Sequence, residues 1–155
     1  MKKMVVGFVF DANRDLVLLI EKLNPIEQRG LLNGLGGKIE EYDVDEAAAM
    51  DREFEEECGL VIPYQDWEHV GLMKRDGDFQ VDVFTATHPD LFNAKTVEAE
   101  KVVVHSTREI ILGRQKTLNN VPMWVQRCDS YLKNNDKEQQ SFLILDYTDK
   151  EFYAE

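Results

Sequence analysis

Apolar and polar positions along this chain fall into a few short blocks, and each block predicts an element. Val5–Phe10 and Leu16–Lys22 are β-rich runs separated by "DANRD", a spacing that predicts a hairpin. The next stretch, "LNPIEQRGLLNGLGG", carries Pro25 and four glycines and reads as loop or short strand. From Asp45 to Cys58 the period lengthens. Ala47, Met50, Phe54 and Cys58 recur at steps of three and four, which is one apolar stripe of a helix, and Gly59 is placed to end it in a left-handed cap. "WEHVGLMKRDGDFQVDVFTAT" is two alternating runs about "DG", a second hairpin. Lys101–His105 reads as a strand. "NNVPMWVQRCDSYLKNN" reads as a second amphipathic helix with Val121, Trp124, Val125, Cys128 and Leu132 on one side, and "SFLILDY" as a closing strand. Strands on both sides of two helices predict an α/β domain with a mixed sheet between helices. With 155 residues and no linker or repeat, residues 1–155 read as a single domain.

Composition narrows the function classes. A net charge of -12 and a pI near 4.7 disfavour non-specific binding to DNA, RNA or anionic membranes. An anionic substrate would have to be met by a cation that the protein brings with it. Two lysines precede the first apolar run, yet that run ends at Asp11 with no small-residue cleavage pattern, so a buried strand is expected there rather than a signal peptide. No other stretch approaches bilayer length. Cys58 and Cys128 lack metal-type or redox-type spacing and read as reduced thiols. These features together predict a cytoplasmic protein with no membrane partner and no nucleic-acid polymer partner. His69, His88 and His105 are scattered, without the paired spacing of a transition-metal site.

The charge is most concentrated on the first predicted helix. Eight acidic residues fall between Asp43 and Glu57. Glu53, Glu56 and Glu57 stand at i, i+3 and i+4, so their carboxylates share one face, where like charges cost a bare helix a few tenths of a kcal/mol per pair. Phe54 and Cys58 lie roughly 100° round the helix and pin that face in place. Such a face is either simply solvated or a cation site. Arg52 can hold a neighbouring carboxylate, the glycine-rich turn can bring carbonyls close to an ion, and hard divalent cations want oxygen ligands while keeping several waters. Three glutamates plus a carbonyl make a half-cage that substrate phosphates and water can complete.

These residues resemble a known family. "GGKIE…DREFEEECGL" looks like the Nudix box, Gly-x5-Glu-x7-Arg-Glu-Φ-x-Glu-Glu-x-Gly-Φ, where Φ is a bulky apolar residue. Arg52 through Leu60 match at every specified position. The first half departs, because fourteen residues separate Gly37 from Arg52, one more than the motif allows. The extra residue falls around "EEYDVD", and Asp43 or Asp45 stands where the mid-box Glu is expected. A slightly longer loop ahead of an intact helix follows. "LNGLGGKIE" resembles the "WNGxGGKxE" form of the MutT-like branch, and "FLILDY" resembles that branch's closing strand. The chain is most similar to enzymes that hydrolyse oxidised purine nucleoside triphosphates.

The resemblance implies a Nudix-type α/β/α sandwich and hydrolysis dependent on Mg²⁺, with Mn²⁺ as the substitute ion. Water attacks a phosphorus of a nucleoside diphosphate linked to a further group. From a nucleoside triphosphate, such as 8-oxo-dGTP or another modified or ordinary dNTP, the products are the monophosphate and pyrophosphate. It assigns the metal to Glu53, Glu56, Glu57, the Gly36 carbonyl and a later-loop carboxylate. Glu98 and Glu100 are the choices for the latter, and alignment of the following strand favours Glu100. Arg52, Glu53, Glu56, Glu57 and Glu100 form the catalytic set. Lys22 and Lys38 are placed for phosphate, with Gly37 beside them. The amide of Asn33 suits a nucleobase edge because it both donates and accepts. Asn119 and Asn120 stand where the oxidised-purine enzymes carry paired acids. The stacking tryptophan of that region has no counterpart, Leu32 replaces the tryptophan usual before Asn33, and Trp124 belongs by its spacing to the core. The alternatives are a hydrolase of another nucleoside diphosphate derivative and a non-catalytic nucleotide sensor on the same fold.

Overall fold

The first apolar run becomes the spine of the sheet. In the computed structural model, which describes residues 1–134 and 140–148, this run is strand β1 (Lys2–Phe10). Strand β2 (Leu16–Glu21) turns back antiparallel as the hairpin pattern predicts, but only Val9↔Leu18 and Phe10↔Val17 stay in register. The rest of that edge of β1 is taken by the glycine-rich segment. Its two short strands are β3 (Leu32–Asn33), paired with the end of β2, and β4 (Leu35–Lys38), paired with Met4–Gly7.

The "DG" hairpin forms as expected, from β5 (Glu68–Arg75) and β6 (Phe79–Thr87), with Gly77 at φ 79° in the turn. β6 lies parallel to β1 along its full length, from Lys2↔Phe79 to Phe10↔Thr87. Strand β7 (Lys101–Ser106) covers β2, and β8 (Leu143–Asp146) closes the other edge parallel to β5. The result is a mixed sheet of eight strands among the described residues.

Helix α1 (Glu46–Cys58) packs on one face of this sheet. The short helix α2 (Thr107–Ile111) and helix α3 (Val121–Lys133) pack on the other. Strand parity sorts the core into two layers. Val5, Val9, Leu18, Ile20 and Phe84 meet Met50 and Phe54 of α1, whereas Phe8, Phe10, Val17, Leu19 and Val83 meet Trp124, Val125 and Cys128 of α3. The α/β/α sandwich is therefore present. Trp124 is 1% exposed and belongs to the core.

Three boundaries differ from the sequence reading. Asp45 caps α1 rather than joining it. α2 carries too few residues for a periodic signal and is set by the Ser106 hydroxyl, which accepts the Glu109 N–H at 3.3 Å. α3 starts at Val121 with Pro122 in its first turn, where a missing N–H costs nothing. Asn135, the last residue of the predicted second helix, lies outside the described residues. Cys58 and Cys128 are free and buried, and burial pushes their thiols up to about 11 and about 12, so neither is a nucleophile at neutral pH.

Candidate active site

Helix α1 is held so that its acidic face cannot rotate away from β4. Asp45 Oδ1 accepts the Ala48 N–H at 2.8 Å at the start, and Gly59 ends the helix at φ 78°, as its position predicts. Between these caps Ala49, Met50, Phe54 and Cys58 are buried against the sheet. Glu57 is thereby carried inward to 7% exposure, where its carboxylate accepts the Gly36 N–H of β4 at 2.7 Å. Glu53 lies directly over Gly37. A Cβ at Gly37 would stand 2.5 Å from the Glu53 carboxylate, so only glycine leaves room for it.

Arg52 clamps the face from its outer side. Its guanidinium meets Asp43 at 2.8 and 3.0 Å, Glu53 at 3.0 Å and Glu56 at 3.2 Å, and it also donates to the Lys38 carbonyl at 3.1 Å. The Tyr42 ring lies 5.3 Å from its centre, a cation–π contact. Asp43 in turn accepts the Glu40 N–H at 2.8 Å. The two acids near the extra residue thus divide their work: Asp43 faces the arginine and Asp45 caps the helix.

The final carboxylates arrive on the loop before β7. The Lys95 N–H donates to the Cys58 carbonyl at 2.9 Å and the Val97 N–H to the Glu57 carbonyl at 3.2 Å, so the loop is tied to the otherwise orphaned end of α1. This brings Glu98 to Glu53 and Glu56, and one oxygen from each of the three lies within 4.8 Å of the others. Glu100 is engaged differently. It accepts the Leu23 N–H at 2.9 Å and pairs with Lys22 at 3.3 Å. Lys22, Gly36, Glu53, Glu57, Glu98 and Glu100 line one cleft of about 300 Å³. Its donor set is all oxygen, which fits a hard divalent cation and not a soft one.

The electrostatics follow from burial. Desolvation raises the Glu57 carboxyl to about 8 against the opposing Gly36 hydrogen bond, with further upward pressure from Glu53, Glu98 and Glu100. Burial also raises Glu53, opposed by Arg52. The Arg52 hydrogen bond holds Asp43 below the ordinary carboxylate range, and the Asp43 hydrogen bond keeps Arg52 firmly protonated. Burial thus disfavours the charged forms of Glu53 and Glu57, a cost that a bound cation would offset.

Of the remaining expected residues, the asparagines lie toward the start of the glycine turn and Lys38 at its other end. Asn33 sits on β3, which the parallel bridge Leu32↔Thr117 joins to the segment leading into α3. Asn119 is exposed ahead of α3, and Asn120 is its N-cap residue, donating its amide to the Tyr147 hydroxyl and to Met73 Sδ at 3.9 Å. Lys38 is exposed at the end of β4. Sequence reading missed the Tyr147–Asn120 contact, because nothing local links two residues on separate elements. The sequence alone favours Glu100 over Glu98, since the hydrogen bonds that aim the loop are made by backbone.

A sequence profile of the NUDIX domain matches residues 1–122. No curated protein matches the sequence significantly. Among solved structures, MutT from the psychrophilic fish pathogen Aliivibrio salmonicida and the mesophile Vibrio cholerae superposes with a TM-score of 0.68 at 19% identity, covering 83% of this chain and 97% of that one. The mutator MutT protein of Bacillus halodurans gives 0.61 at 19% identity, covering 81% and 80%. A MutT/nudix family protein of Enterococcus faecalis gives 0.55 at 19% identity, covering 68% and 43%. The profile spans strands β1 to β7, the acidic helix, the arginine clamp and the Glu98 loop alike, and so the chain belongs to the NUDIX family of hydrolases.

Proposed function

We propose that this protein is a Mg²⁺-dependent pyrophosphohydrolase that cleaves a nucleoside triphosphate to the monophosphate and pyrophosphate. The observation that carries the reading is the gathering of Glu53, Glu56 and Glu98 beside the Arg52 clamp, at a cleft that Glu53, Glu98 and Lys22 line. Glu53, Glu56 and Glu98 would hold the cation, with Glu57 and the Gly36 carbonyl close by. When bound, Mg²⁺ or Mn²⁺ supplies neutralisation of phosphate charge and polarisation of the scissile phosphoryl group.

The chain's own groups do the rest. Arg52 fixes the Glu53 and Glu56 carboxylates so that their mutual repulsion does not splay them. Glu53 or Glu57, the two cleft carboxyls whose burial raises their proton affinity, takes the proton of the attacking water. Lys22, steadied by Glu100, faces the phosphates within the cleft, and Lys38 approaches from its rim. Asn33, Asn119 and Asn120 read the base edge. Neutral amides in those places accept and donate but exchange no proton with the base, so oxidised guanine, as in 8-oxo-dGTP, is one substrate among the modified and ordinary dNTPs. Among the described residues no helix is long and apolar enough to cross a membrane.

The test is a substrate panel with Mg²⁺: 8-oxo-dGTP, ordinary dNTPs and NTPs, ADP-ribose and dinucleoside polyphosphates side by side. Monophosphate and pyrophosphate are the expected products from a triphosphate. Turnover of ADP-ribose or a dinucleoside polyphosphate alone would reassign the substrate. Ligand-dependent stabilisation without any product would make the protein a nucleotide sensor.

A further inference from the structure

A second cavity, larger than the catalytic cleft, lies apart from it. A cavity of about 780 Å³ lies where β2, β7 and the segment following α2 meet, and its lining shares no residue with the cleft. Lys101, Arg114 and Lys116 bring positive charge to it, and Leu32 and Val103 supply an apolar wall. This is unusual in a chain with a net charge of -12. Among the described residues neither Lys101 nor Lys116 makes a salt bridge, while Arg114 meets the exposed Glu109 at 3.3 Å. Glu21 is the one acid at the cavity.

The basic side chains are brought there by built structure. Gly113, at φ 70°, reverses the chain after α2, and the Arg114 N–H donates to the Glu109 carbonyl at 3.0 Å. The Leu32 N–H then donates to the Lys116 carbonyl at 3.0 Å, which fixes residues 114–116 against β3. Lys101 comes from the opposite wall, in register with Glu21 across β2 and β7. The adjoining residues, Lys22 and Glu100, turn the other way and form the 3.3 Å ion pair of the catalytic cleft. Two strand ends therefore separate a basic cavity from an acidic one.

We propose that this cavity is a second ligand site, for a small phosphorylated molecule with a flat or apolar body, of about mononucleotide size. The volume falls within the range of small-molecule sites, roughly 300–1,000 Å³. A cluster of cations on an otherwise acidic surface draws anions selectively, and the Leu32–Val103 wall favours an organic phosphate over a bare inorganic one. The site needs no divalent cation, because the protein itself supplies the positive charge. That separates it from the cleft and makes it independent of the reading proposed above.

The experiment titrates the full-length protein in EDTA with ADP, and separately with inorganic tripolyphosphate, following ¹H–¹⁵N amide shifts. Expected are shifts at residues 101–105 and 113–117 and tighter binding of ADP. The exposed double variant Lys101→Glu/Lys116→Glu should weaken binding by at least about tenfold, with its thermal unfolding unchanged, and Arg114→Ala should weaken it less. Glu57→Gln should bind as the parent does. The proposal is overturned by absence of binding, by shifts confined to residues 33, 53–57 and 98, by undiminished binding in the charge-reversed variant, or by a short single-stranded RNA binding the same residues more tightly than ADP.

Discussion

Glu57 of the acidic helix accepts the backbone N–H of Gly36 at 2.7 Å while remaining 7% exposed, so a carboxyl of the acidic face is buried on a single neutral donor. The consequence is a definite pH dependence. Its carboxyl titrates near 8 in the fold against 4.5 in the open chain, so the folded state holds the extra proton between these values. Metal-free stability should therefore fall as pH rises from about 4.5 to about 8 and level off above that. Glu57→Gln should flatten this slope while abolishing turnover. Thermal unfolding in EDTA across that range measures it; a parent protein that gains stability over the interval would contradict the burial argument.

Asp43 and Asp45 should separate cleanly on mutation. Asp43→Ala removes two charged hydrogen bonds from Arg52 and should cost ~1–3 kcal/mol, along with about a ten- to hundredfold loss of activity through the freed arginine, the usual effect of losing a supporting partner. Its lowered carboxyl makes the sign opposite to that of Glu57: this stabilisation is present above the ordinary Asp range and lost as pH falls. Asp45→Ala removes a helix cap, costing about 1 kcal/mol, and should leave kcat unchanged. Equal kinetic losses in both variants would show that the extra residue is not accommodated in this way.

The two glycines of β4 should fail for different reasons. A Cβ at Gly36 would meet the Val5 carbonyl oxygen at 2.0 Å, so Gly36→Ala forces β4 off β1 and should lower the melting temperature. In Gly37→Ala the atoms nearest the added methyl are those of the Glu53 carboxylate, the far end of a side chain rather than backbone. That variant should fold with little change in melting temperature but bind Mn²⁺ more weakly, as read by electron paramagnetic resonance.

Glu98 and Glu100 should likewise part company. Glu98→Gln removes one of three gathered carboxylates and should reduce Mn²⁺ affinity by more than the tenfold or so that a supporting partner gives. Glu100→Gln should leave Mn²⁺ affinity close to the parent's and raise KM, because the side chain steadies Lys22. The opposite ranking in a metal titration would return the ligand role to Glu100.

What the sequence determined by itself was local and periodic. The 3–4 spacing of Met50, Phe54 and Cys58, the cap at Gly59, the "DG" hairpin and the glutamates at 53, 56 and 57 are all carried by neighbouring residues, so α1 and its acidic face were legible before any folding was considered. The order of strands was not. Local pattern paired β1 with β2 because they are adjacent, yet most of β1 pairs with β4 and β6, contacts made over dozens of residues that no short-range signal encodes. The same physics governs the site. That Asp43 rather than Asp45 holds Arg52, and that Glu98 rather than Glu100 approaches Glu53, is decided by backbone hydrogen bonds, from Glu40 to Asp43 and from the 95–97 loop to the end of α1. Every residue but proline offers such donors whatever its side chain, so only the tertiary structure shows where they are used.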